Sequence, residues 1–283
     1  MRKVKTACAI GVRGMRKWRG NLRIYLLAAY ILIYIIKYFL PILRFSADVG
    51  YGVRPYLFPF FVSDIFFQTV VMLGAVMLFC DAPFMDESSP YVITRSGRYP
   101  WSCGQVIYIL LASTAYVAFI LLSSVVAVLP RIEFGESWGK VIGTLAMTGA
   151  GHGYGVLWIS PTIFNIYTPL QAVGLSCLLT WFCTVFTGLL MFVLNFNVHR
   201  AVGPSVCSAF IGMNYFIYTF LSSQYYKWSP ITLANLGMLS DPENAVGMTP
   251  QYSTKFFLIV IAILIVLAVI SVHRKTINTI EPD

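Results

Sequence analysis

Two ionisable side chains stand inside long apolar runs, Lys37 in "LIYIIKYFLPIL" and Asp64 in "FFVSDIFFQ". A charge within hydrocarbon is costly and persists where it lines a path, relays a proton or finds a partner. Lys37 can reach the nearer interface along its own alkyl stem. Asp64 is the sharper case and keeps two readings: a group that faces a polar path or pairs with Lys37, or an interfacial residue just outside the hydrocarbon.

The other concentration of polar chemistry is "DAPFMDESSPYVITRSGRYPWSCGQ", Asp81 to Gln105, in a chain whose charged fraction is only 11%. Elsewhere the chemistry-bearing residues are scattered. The cysteines Cys8, Cys80, Cys103, Cys177, Cys183 and Cys207 lie in or beside apolar runs without C-x-x-C spacing, as small buried hydrophobes do. His152, His199 and His273 lack a local acidic or cysteine partner, so the pattern holds no zinc signature.

Nucleotide and hydrolase motifs are missing too. No G-x-x-x-x-G-K-[ST] is present to wrap amides and a lysine around phosphates, and there is no H-E-x-x-H or G-x-S-x-G. The run "GAGHGYG", Gly149 to Gly155, does not fit G-x-G-x-x-G and follows no strand. The chain therefore reads as a non-enzyme without a cofactor or metal.

These residues must be positioned by membrane-spanning elements. The 283 residues are 58% hydrophobic with a mean hydropathy of +0.75, against a charged fraction of about 25% in soluble domains. An all-α polytopic fold follows. Six stretches approach the roughly 20 apolar residues that a hydrocarbon layer demands: Leu22 to Leu43, Phe58 to Phe79, Gly104 to Leu129, Leu170 to Phe196, Val202 to Ser222 and Phe256 to Val272. The first is too long for the apolar core of a signal peptide and lacks a small-residue cleavage site, so it stays as a span.

With six spans both termini share one side. The loops on that side hold 13 of the 20 basic residues and the opposite loops seven, so the positive-inside rule predicts cytoplasmic termini. The net charge of +9 is thus read as membrane orientation, with anionic lipid rather than nucleic acid as the partner. Residues 1–21 suit a short interfacial helix with its basic side towards head groups, or else a basic leader that only sets topology. Residues 130–169 predict a short amphipathic helix near Trp138 to Met147 and then a glycine-rich turn. Residues 223–255 predict a half-apolar outward segment, with Pro230 ahead of a helix through Leu239.

The stretch "PFMDESSPYVITRSGR" ahead of an apolar helix, with "ESWGKVIGTLA", "YTPLQA" and "KWSPITLANL", resembles bacterial permease subunits of type-2 ABC exporters, and the order of spans and loops extends the likeness along the whole chain. The resemblance implies one permease domain over 1–283, a separate ABC ATPase as partner, and a dimer with a second permease copy or a paired permease. It also implies that residues 82–103 form a cytoplasmic coupling loop seated in the ATPase. There Ser88, Ser89 and Pro90 can open a helical turn, and Tyr91, Val92 and Ile93 offer an apolar contact. Asp86, Glu87, Arg95 and Arg98 supply charge, and Gly97 with Pro100 turn the chain into the third span. Asn214, Tyr215 and Tyr218 are candidates for a substrate path. The rival expectations are a sensor or immunity component that binds a peptide on its outward loops, and an intramembrane enzyme built around Asp64.

Overall fold

A computed structural model describes residues 2–85, 89–157, 159–220, 223–240 and 248–274. Among them the only extended pairing is a single bridge between Val53 and Ile132, and everything else regular is helical. An amphipathic helix α1 (Arg2–Arg16) leads into α2 (Leu22–Val49), whose start is capped by Asn21 accepting from the Arg23 amide at 3.1 Å. Gly50, in the left-handed region at φ +76°, ends it.

The second apolar run is not one helix. It divides into α3 (Phe58–Ser63) and α4 (Ile65–Phe79), with Asp64 extended between them. Its Oδ1 accepts from the amides of Phe66 and Phe67 at 3.0 and 3.1 Å, which starts a new helix in the middle of an apolar stretch. After the turn at 81–84, α5 (Ser89–Ser96) and α6 (Arg98–Val128) meet at Gly97, whose φ of +87° is a conformation that a side chain disfavours.

The expected amphipathic piece is α7 (Gly139–Met147), followed by a 3-10 turn over Gly149–Tyr154 and α8 (Pro161–Ile166). A capping box between Thr168 and Gln171 opens α9 (Pro169–Asn197). Then come α10 (Val202–Phe220), 3-10 turns at Ser223–Trp228 and Thr232–Ala234, α11 (Leu236–Ser240) and α12 (Pro250–Arg274).

Four helical stretches are long and apolar enough to cross a membrane: Leu22–Val49, Arg98–Arg131, Pro169–Asn197 and Pro250–Arg274. The shorter apolar helices, Ile65–Phe79 and Val202–Ile217, run beside them. Of the long four, α9 is central, with 67% of its apolar window buried against 28% for α12. That contrast fits a bundle whose outer helices keep apolar faces for a nonaqueous solvent. The chain alternates between two ends. Arg23 of α2 meets Asp81 beyond α4, and Arg98 at the start of α6 reaches the carbonyl of His273 at the close of α12. At the opposite end Val53 bonds the carbonyl of Arg131 at 2.8 Å.

Candidate functional site

The end that gathers α1, α5 and the last turn of α12 is a fastened platform. Asn195, buried in α9, donates to the carbonyls of Cys80 and Ala82 at 3.2 and 2.8 Å and accepts from the Gly203 amide at 2.8 Å. One side chain thus ties the exit of α4 to the start of α10. Asn197 bonds Ser271 at 2.7 Å, which adds α12. Arg23 also donates to the Cys80 sulfur at 2.9 Å. Burial, and secondarily the neighbouring Asp81 carboxylate, push the Cys80 thiol up from its ordinary range, so it stays protonated at neutral pH.

On this platform α5 presents two different faces. Val92 and Ile93 pack against the core, while Tyr91 is 79% exposed and Arg95 lies one helical turn on, also exposed. The expected cluster of Tyr91, Val92 and Ile93 is therefore split: the aliphatic pair packs against the core and the tyrosine is exposed. Arg98 is engaged at the start of α6, donating to the His273 carbonyl at 3.2 Å. Asp86 and Glu87, with Ser88, lie outside the described residues.

A second wall comes from the N-terminus. Helix α1 crosses α6 at close range, through Ala7, Gly11 and Gly14 on one helix and Gly104 on the other. A Cβ on Gly104 would stand 2.7 Å from Ile10, and one on Gly14 would stand 2.6 Å from the Tyr108 ring. Trp18 beyond it donates to the Tyr108 hydroxyl at 2.9 Å. The expectation of an interfacial helix over 1–21 thus gains a protein contact. Between α1 and α5 lies a groove of about 780 Å³, lined by Lys3, Arg13, Tyr91, Arg95, Ser96 and Pro100 among others. The sequence expectations missed this contact; the signal that carries it is the small-residue face Ala7, Gly11 and Gly14 at helical spacing.

Chemically, this groove offers cations and a phenol beside the apolar Ile10 and Val92, with no paired acid and base. Among the described residues no three histidine, cysteine or carboxylate side chains gather as metal ligands, and all six cysteines are free. The arrangement suits recognition of an acidic or polar protein surface.

At the opposite end polar groups are turned inward. The stretch from Ser229 to Leu236 is almost wholly buried although its backbone is irregular. Its partners come from the broken rod: Gln68 donates to the Ile231 carbonyl at 2.7 Å, and Asn235 donates to the Ser63 carbonyl at 2.8 Å and to Gln68 Oε1 at 2.9 Å. Asn235 Oδ1 accepts from the Met238 amide at 3.1 Å, and Ser253 of α12 bonds the Leu233 carbonyl. Nonhelical backbone survives inside a bundle only where protein groups satisfy it in this way. No local pattern announces the network, since Gln68 and Asn235 are 167 residues apart.

Of the isolated candidates, Asp64 is a helix cap. Lys37 lies over the Phe66 ring, 5.5 Å from its centroid, and among the described residues no ion pair joins the two. Asn214 is buried and accepts from the Thr232 hydroxyl, whereas Tyr215 is 55% exposed. Tyr218 lies in α10, with its side chain outside the described ones. Neither Asn214 nor Tyr215 lines any of the cavities described.

Set against known proteins, the chain matches no family model, no curated protein and no solved structure.

Proposed function

We propose that the chain is the membrane-spanning permease subunit of an ATP-driven exporter, with a separate ABC ATPase seated on α5 and α1. In this reading all six rods, including the broken α3–α4 pair and α10, cross a bacterial plasma membrane, both termini are cytoplasmic, and two permeases pair. The observation that carries it is the two-faced α5: Val92 and Ile93 fasten it to the bundle, while Tyr91 and Arg95 face outward beside the basic groove. A loop that served only as a spacer would need neither the anchor nor the groove. Closure of the ATPase pair on ATP would push α5, and α6 continues from it through Gly97 alone.

The test is a search of the gene neighbourhood for an ABC ATPase, followed by co-expression with the ATPase found there. Tyr91→Ala with Arg95→Glu should abolish co-purification and ATP-dependent transport while leaving the melting temperature unchanged. Retained association in that variant sinks the docking assignment, and a neighbourhood without an ATPase gene counts against the exporter. Orientation has its own check in the exposed Cys8 thiol. A membrane-impermeant maleimide should label it in inverted vesicles and not in intact cells, with Cys8→Ser as the blank.

A further inference from the structure

Lys37 and Asp64 share one surface of the bundle, at the junction of α2 and α4. Lys37 is about 22 Å along α2 from Leu22, well inside the apolar stretch. Its ammonium rests over Phe66, two residues from Asp64, so the two charges lie at nearly the same depth. Lys37 is exposed and Asp64 partly so, and no ion pair joins them among the described residues. Asp64 uses Oδ1 for both amide contacts that cap α4, and Oδ2 is left without a hydrogen bond. Around them the surface is apolar and aromatic: Ile33, Ile36 and Leu40 of α2 are exposed, and Phe66 is 46% exposed with Tyr34 5.9 Å from it, ring to ring.

Within hydrocarbon, charges of opposite sign pair with one another or with polar groups. A single copy leaves one of each sign uncovered on the same face. A two-fold axis along the membrane normal keeps every residue at its own depth, and it sets residue i of one copy against residue j of the other while j meets i. Two charges at equal depth on one face satisfy that rule twice over.

We propose that this face is the contact between two copies of the chain, with Lys37 of each copy paired to the partner's Asp64. Tyr34 and Phe66 form the aromatic centre of that contact, the kind of residue that anchors interfaces. The inference rests on the pairing of permeases in the functional reading and names the surface and the residues that join them.

A charge exchange distinguishes this from a pair formed within one copy. Lys37→Glu alone, or Asp64→Lys alone, sets like charges against each other at both symmetric positions and should shift the purified protein from dimer to monomer in detergent. Co-expression of the two single variants under different tags places opposite charges together at both positions. It should restore a heterodimer at no less than about tenfold above either variant's own dimer. Asp64→Asn, which keeps the helix cap, serves as a folding control with an unshifted melting temperature and a weakened dimer. If each single variant stays as dimeric as the wild-type chain, or if only the double variant in one chain recovers, the proposed contact is overturned. A wild-type chain that is monomeric even with its ATPase bound would overturn the paired-permease reading itself, which is a separate result.

Discussion

The two ends of the bundle handle polar groups in opposite ways. At one end Lys3, Arg13, Tyr91 and Arg95 border an open groove, and the charges face outward. At the other end Gln68, Ser63, Asn235 and Thr232 are drawn into the bundle and satisfy one another and an irregular backbone. The difference teaches where each end's free energy resides: inward hydrogen bonds hold the fold, whereas outward charges contribute little until a partner desolvates them.

The strongest test of that contrast is Asn235→Ala. It leaves the buried Gln68 Oε1 acceptor, and with it the half-buried Ser63 carbonyl and Met238 amide, without their partner, so a loss of about 3 kcal/mol is expected, read as a lowered Tm in detergent. Next, Asn195→Ala asks whether the rule concerns ends or burial, because Asn195 is an inward staple at the groove end. A loss of about 2 kcal/mol, close to that at Asn235, would show that burial decides; a negligible change in the unfolding midpoint would leave the ends as the better description.

Gly104→Leu should cost about 1–2 kcal/mol by overpacking against Ile10, and it should release α1. Trypsin cleavage at Arg13 and Arg16 would then accelerate while the rest of the chain stays resistant. The smallest effect belongs to Asp81→Asn. The Arg23–Asp81 pair is 36% and 59% exposed, so a change of about 0.5 kcal/mol or less is expected, and a Tm drop like that of Asn235→Ala would refute the contrast.

Much of this was legible in the residue order, and the exceptions have physical reasons. Long apolar runs gave α2, α6, α9 and α12, because continuous hydrophobicity over a membrane's thickness leaves few other solutions. Ser89, Pro90 and Gly97 marked both ends of α5, since proline and glycine act through local backbone geometry. The break at Asp64 was readable in principle: a carboxylate just ahead of an apolar run is a helix start, and hydrophobicity alone hid it. Which side of α5 is the anchor could not be read, because Val92 and Ile93 become inward only when α6 and the core behind it are in place. The Gln68–Asn235 contact joins residues far apart along the chain and has no local signature at all.

Helix α6 has 31 residues, or about 46 Å at 1.5 Å per residue, which exceeds the roughly 30 Å of a hydrocarbon core. It is gripped near Gly104 by α1, begins at the Gly97 joint with α5, and finishes beside the Arg131 carbonyl that holds Val53. Such a rod is a lever arm. Rocking it by roughly 5° about the grip near Gly104 would swing Val128, about 36 Å away by helical rise, through about 3 Å. A displacement of that size is about the width of a water molecule, so in the proposed exporter a slight tilt at the basic end would reach the other end as a water-sized shift.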